Sequence, residues 1–166
     1  NRKSIKNELS KIKIFFGKNK IEKKEVLQIL NISSNKEFGQ IRDAALLGDK
    51  MKVNRLIGEI EFTNEDTHSY LNQIAARLSK LNEIQSLNQN INDLEIAVES
   101  LSPKVFWKDK PVYINQLKNW DKTKLEATLF KISELELFMK KNSSIRNDIL
   151  IKDLIVRLCN QATNSA

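Results

Sequence analysis

Four glycines, two prolines, one histidine and one cysteine are all that this 166-residue chain holds of several residue types that carry chemistry or break regular structure. The glycines, Gly17, Gly39, Gly48 and Gly58, stand apart. None belongs to a G-x-x-x-x-G-K-[ST] or G-x-G-x-x-G loop, so the chain offers no phosphate cradle for a nucleotide. His68 and the distant Cys159 cannot supply the three or four ligands of a metal site, and nothing sets a base beside a nucleophile. A lone cysteine forms no internal disulfide, which suits a reducing compartment, and Ile155, Leu158 and Ala162 around Cys159 mark a buried thiol. No apolar run approaches the roughly 20 residues of a membrane span, and no secretory signal pattern opens the chain. The first residue is Asn1 rather than Met, so the segment is expected to belong to a longer protein. Carboxylates such as Glu134 with Glu136 and Glu65 with Asp66 read as solvated helix faces, because acid–base pairs need burial to tune them. The expectation is no catalytic residue, no metal, no cofactor, no membrane contact and no small-molecule substrate.

Charge, by contrast, is plentiful and uneven. The net charge is +7. Residues 1–36 hold ten Lys/Arg against three Asp/Glu, whereas residues 37–166 hold eighteen of each. The excess therefore sits in the first fifth of the chain, where Lys3, Lys6, Lys11, Lys13, Lys18, Lys20, Lys23 and Lys24 are candidates to meet a phosphate backbone. Lysine, asparagine and isoleucine are abundant throughout, so solvated helix faces account for the same residues equally simply.

Apolar residues recur at spacings of three and four nearly everywhere, and no alternating strand pattern or solenoid repeat appears. Ile5, Leu9, Ile12 and Phe16 form a first stripe that Gly17 ends, and a short helix follows over 22–30. The polar run 31–36 reads as a linker and domain boundary. Beyond it, Asn35 caps a helix with Phe38, Ile41, Ala45 and Leu46. Gly48 stops that helix, and Asp49 caps the next, which carries Val53, Leu56, Ile57 and Ile60. Thr67 caps a long helix with Leu71, Ile74, Ala75, Leu78 and Leu81, and Leu94, Ala97 and Leu101 mark a shorter one. Two further helices follow, one after Asp121 carrying Leu125, Leu129, Ile132, Leu135 and Met139, and one over 147–161 carrying Leu150, Leu154, Ile155 and Leu158. The fold class is all-α, in two units.

The stretch SPKVFWKDKPVYINQLKNW, residues 102–120, stands out because it gathers both prolines, both tryptophans, Tyr113 and Phe106. Pro103 pre-sets a helix start after Ser102, and Pro111 is harmless only in a first turn, with Asp109 as cap. A short turn carrying Val105, Phe106 and Trp107 should precede a helix over 110–119, with Ile114 and Leu117 facing the core. Core filling suits Phe106 and Trp120. Trp107, flanked by Lys104 and Lys108, is the best candidate for an exposed contact, either stacking on bases or anchoring a protein interface.

With Leu101 in front, this stretch resembles a run in the delta subunit of the bacterial DNA polymerase III clamp loader, particularly the alphaproteobacterial form. The order of Leu101, Pro103, Val105, Phe106, Trp107, Lys108, Tyr113, Gln116, Leu117 and Trp120 is similar to that family's leucine, prolines, Val-Phe-Phe, basic residues, aromatic, Gln-Leu and tryptophan. The following segment DKTKLEATLFKISELELFMKK resembles the family's next helix. DAALLGD, 43–49, looks like its helix–Gly-Asp step, and IKNELSKI, 5–12, like a segment of its lid domain. The resemblance covers nearly the whole chain. Lys104 stands where a second proline is usual, and Pro111 interrupts the step from basic residues to the aromatic.

The resemblance implies a partial helical lid over 1–34 followed by a helical-bundle collar over 36–166. An AAA+-like domain would lie upstream and carry the contact to the sliding clamp. It further implies a bacterial, cytoplasmic, non-catalytic role in DNA replication. The partners would be the other clamp-loader subunits through the collar, and DNA only indirectly. Candidate subunit-interface residues are Phe106, Trp107, Lys108, Ile151 and Val156. The last two belong to ILIKDLIVRL, 149–158, a helix apolar on more than one face, which is read either as a docking face or as a helix central to the bundle. The alternative function is a stand-alone helical nucleic-acid-binding module that uses the basic segment 1–36.

Overall fold

The computed structural model describes residues 10, 13, 14, 17 and 37–163, apart from 61, 64, 65 and 143. The chain divides into two units, Asn1–Phe38 and Gly39–Ala166. In the first, Ser10, Lys13 and Ile14 are helical, and Gly17 sits at φ +56°, its N–H donating to the Lys13 carbonyl at 3.1 Å. The other expectations for 1–36, the second helix, the linker and the Asn35 cap among them, lie outside the described residues.

All regular structure among the described residues is helical, and the second unit is a helical bundle. Helix α1 is described over 37–47, and buries Ile41, Ala44, Ala45 and Leu46. It ends where its spacing of apolar residues ends. Gly48 adopts φ +76°, its N–H donates to the Ala45 carbonyl, and the Asp49 N–H reaches back to the Ala44 carbonyl, each at 3.0 Å. This paired closure satisfies two carbonyls that the helix end would leave free, and glycine meets the left-handed conformation without steric cost. Asp49 then starts α2, Lys50–Glu59, by accepting the Lys52 N–H at 3.0 Å. One glycine and one aspartate thus make the corner.

Helix α3, Thr67–Ile91, is the spine, about 37 Å long at 1.5 Å per residue. Its line Leu71, Ile74, Leu78, Leu81 and Ile84 is buried throughout, worth on the order of 10 kcal/mol of apolar transfer before entropy is charged against it. Asp66 precedes it without a side-chain cap bond, and Thr67 is its first, buried residue rather than its cap. Asn92, at φ 54°, closes it, and Asp93 caps α4, Leu94–Glu99, by accepting the N–H groups of Glu95 and Ile96. Contrary to expectation, α4 stops before Leu101, and Pro103 opens no helix. Proline disfavours helical backbone in the residue before it, and the chain runs irregularly to α5, Lys110–Leu117. Pro111 does fall in the first turn of α5, but the Asp109 side chain makes no cap bond there.

Asp121 caps α6, Lys122–Lys141, through the Lys124 N–H at 2.8 Å. Helix α6 buries Leu125, Thr128, Ile132 and Met139, with Leu129 and Leu135 half-buried. Helix α7, Asn147–Thr163, buries Ile151, Leu154, Ile155, Leu158, Cys159 and Ala162. Helix α3 packs against α4, α5, α6 and α7, and α2 packs on α7. The Lys124 ammonium joins the end of the bundle. It donates to the carbonyls of Asn119 and Gln161 and lies 5.2 Å from the centre of the Trp120 ring.

Candidate functional site

The aromatic stretch separates into an anchored base and an exposed tip. Leu101 and Val105 are buried and hold the irregular segment down, while Phe106 and Trp107 stand out, 58% and 66% exposed. The Asp109 N–H donates to the Phe106 carbonyl at 2.8 Å and folds the tip into a turn. Lys110 at the start of α5 pairs with Glu99 at the end of α4 at 2.6 Å, bridging both sides of the segment. That hydrogen bond and charge hold the Glu99 carboxyl below its ordinary pKa. The two rings meet at 5.8 Å with a 50° tilt, and the Lys108 ammonium lies 5.2 Å from the Trp107 ring centre. Behind Trp107, a groove of about 380 Å³ runs between α4 and α5, lined by Val98, Pro111 and Ile114 with Glu95 and Glu99 on its rim.

Phe106 therefore corrects the expectation of core filling: Leu101 and Val105 take the inward positions, and the turn directs Phe106 to solvent. Trp120 does fill the core and is fully buried. Its indole N–H donates to the Leu46 carbonyl at 2.9 Å, and its own carbonyl accepts from the Gln85 amide at 2.7 Å. The tryptophan thus supplies α1 with a partner for a carbonyl near its C-terminus.

Beneath α5 lies a polar cluster that sequence reasoning missed. The Arg77 guanidinium on α3 meets both Asp43 carboxylate oxygens, at 3.2 and 3.3 Å, and its carbon lies 4.0 Å from the Tyr113 ring centre. Arg42 meets Asp43 at 2.9 Å, and the Gln116 amide donates to the Asp43 carboxylate at 3.4 Å. Burial, then the Arg42 charge, lowers the Arg77 pKa, while Asp43 opposes that shift. Burial likewise raises Tyr113. A charged residue on the spine's apolar line, between Ile74 and Leu78, was the available signal, because a buried arginine requires a partner. The cluster ties α1, α3 and α5 together and so fixes the helix that carries the aromatic turn.

On α7, the two interface candidates part company. Ile151 is completely buried, so it is a core residue with no surface to offer a partner. Leu150, expected on the core line, is half-buried instead. The run Ile149, Leu150, Ile151 holds three apolar residues in a row, and packing on α2 and α3 decides which one points inward. Val156 is 40% exposed and lines a small recess of about 210 Å³ with Val53 and Cys159. A larger groove, about 540 Å³, separates α6 from α7, with Leu135, Leu150 and Leu154 along it and Lys131, Asp153 and Arg157 at its edges. Of the candidate DNA-contacting lysines, Lys13 is exposed on a helix, and Lys3, Lys6, Lys11, Lys18, Lys20, Lys23 and Lys24 lie outside the described residues.

The remaining reactive groups are dispersed. Cys159 is buried, and burial raises its thiol pKa, which disfavours a thiolate. His68 is exposed in the first turn of α3. No group of three His, Cys, Asp or Glu among the described residues is arranged to hold a metal ion, and none of the described helices is long and apolar enough to cross a membrane. No family model, no curated protein and no solved structure matches the chain. What the described surface offers is contact area: an aromatic turn on a braced base, and grooves between helices.

Proposed function

We propose that the chain is a non-catalytic docking scaffold, the partial lid and collar of a clamp-loader delta subunit of DNA polymerase III. In this reading it acts in bacterial DNA replication by holding sister loader subunits, so that a domain upstream can reach the sliding clamp. The observation that supports it most is the exposed Phe106–Trp107 pair, seated on a turn braced by the Glu99–Lys110 ion pair. Large aromatics in rigid settings are the residues that most often dominate protein interfaces, and these two lie within the motif that carries the resemblance. The helix–Gly48–Asp49 corner, a second element of the resemblance, is a rigid joint rather than a reactive loop. Lys108, its ammonium 5.2 Å from the Trp107 ring centre, would contribute at the edge of that contact, and Val156 on α7 would serve a separate one.

Co-expression of the full chain with the other loader subunits of its genome, followed by size-exclusion chromatography, tests the proposal. The chain should elute with the assembly, and the double substitution Phe106→Ala and Trp107→Ala should release it while leaving its own melting temperature unchanged. Failure of the unsubstituted chain to join the assembly, combined with salt-sensitive retention on DNA, would favour the nucleic-acid module instead.

A further inference from the structure

Helix α6 has a second apolar line that the bundle does not use. At about 100° per residue, Phe130 and Leu137 lie about 20° apart and about 180° from Met139, which points into the core. They are 65% and 57% exposed, and Phe138 beside them is 44% exposed. The same outer face carries Glu126 toward its start, Ser133 and Glu134 at its middle, and Lys141 at its end, all exposed. The Ser133 hydroxyl already donates to the Leu129 carbonyl at 3.1 Å, so covering it strands no donor. Serine is also small enough to let another backbone approach.

The pattern along this face is self-complementary when read in opposite directions. A two-fold axis passing between Ser133 and Glu134 brings Phe130 against Leu137 of a second copy, and Leu137 against that copy's Phe130. The same operation sets Glu126 opposite Lys141 at both ends. We infer that this outer face of α6 is a homodimer contact, in which two copies of the chain pair their α6 helices antiparallel about that axis. Identical patches meeting about a two-fold axis close after two subunits, so the assembly stops at a dimer. One unfavourable element comes with the geometry. The two Glu134 side chains lie on the same side of the pair, near the axis, and repel one another. A single helix pair covers less than the roughly 1,200 Å² of a standard interface, so the dimer should be weak, with a Kd above about 1 μM, and should fall apart on dilution.

Sedimentation equilibrium of the full chain from about 5 to about 500 μM tests this. The weight-average mass should rise from the 19.2 kDa of one chain toward twice that value and stop. Phe130→Ser with Leu137→Ser should keep the chain monomeric throughout with an unchanged melting temperature, since both residues are exposed. Glu134→Gln should tighten the dimer about twofold by removing the like-charge pair. Glu126→Lys and Lys141→Glu should each weaken it, and the two together should restore it. Ser133→Cys, next to the axis, should form an intermolecular disulfide on oxidation, whereas Asn72→Cys on the exposed face of α3 should not; the native Cys159 is buried and does not interfere. A monomer at the highest concentration, a dimer that survives Phe130→Ser with Leu137→Ser, or mass growing past the dimer would each overturn the assignment. The α6 face is distinct from the aromatic turn, so its failure would leave the loader-docking proposal standing.

Discussion

Gly48 and Gly58 lie ten residues apart, yet the same substitution should act on them with opposite sign. Gly48 sits at φ +76°, where an alanine costs about 1 kcal/mol or slightly more. A Cβ there would also stand 3.1 Å from the Thr163 hydroxyl oxygen and 3.3 Å from the Thr163 backbone nitrogen, closer than ordinary contact, so the end of α7 must yield. Together these effects put Gly48→Ala at about 2 kcal/mol destabilising, a fall of roughly 8 °C in Tm for a domain of this size. Gly58 is helical, and a Cβ there meets nothing within 4 Å. Alanine restricts the unfolded chain and favours helix, so Gly58→Ala should add about 0.5–1 kcal/mol, or roughly 3 °C. Gly48→Asn separates the two contributions, because asparagine tolerates the left-handed conformation but still brings the Cβ contact; it should cost about 1 kcal/mol. Thermal unfolding followed by circular dichroism provides the measurement. A neutral or stabilising Gly48→Ala, or equal losses at both glycines, would refute the account of the α1–α2 corner and its approach to α7.

Other consequences can be checked in the same way. Trp120→Phe leaves the Leu46 carbonyl unpaired in a fully buried site and opens a cavity, so denaturant unfolding should show a loss of about 2–4 kcal/mol. The Arg146 guanidinium, bonding Asp148 at 2.9 and 3.2 Å, holds that carboxyl below its ordinary pKa. A depressed carboxylate pKa stabilises the fold above the unfolded-state value and loses that contribution as pH falls through the folded one. Melts between neutral pH and about pH 3 should therefore show Asp148→Asn less stable at neutral pH, with the difference shrinking in acid. Acrylamide should quench the fluorescence of Trp107 and spare Trp120, so Trp107→Phe should leave a blue-shifted, protected emission with stability changed by less than about 0.5 kcal/mol.

Much of the bundle could be read from spacing alone because its punctuation is local. Gly48 with Asp49 closes one helix and opens the next within two residues, and the Pro111 first turn required only the missing N–H of proline. Orientation was less legible. Ile149, Leu150 and Ile151 are all apolar, and only tertiary packing selects Ile151 as the buried one. Phe106 has the area of a core residue, but Leu101 and Val105 reach the interior first. The Asp43–Arg77–Gln116 cluster joins residues from three helices, so no local window contains it. Arg77 on the spine's apolar line was its only trace in the sequence. The outward pair Phe130 and Leu137 was hidden for a similar reason, since the sequence shows where apolar residues recur but not which line the bundle covers.

Trp107 provides the most direct test of the docking proposal. Its emission, taken as the difference between the unsubstituted chain and the Trp107→Phe variant, can be followed while each full chain is titrated with the other loader subunits, and separately with single-stranded DNA. The proposal predicts a saturable blue shift with the subunits, as the exposed indole enters an apolar interface, and no change with DNA at physiological salt. An unchanged emission with the subunits, or a salt-dependent response to DNA alone, would contradict it.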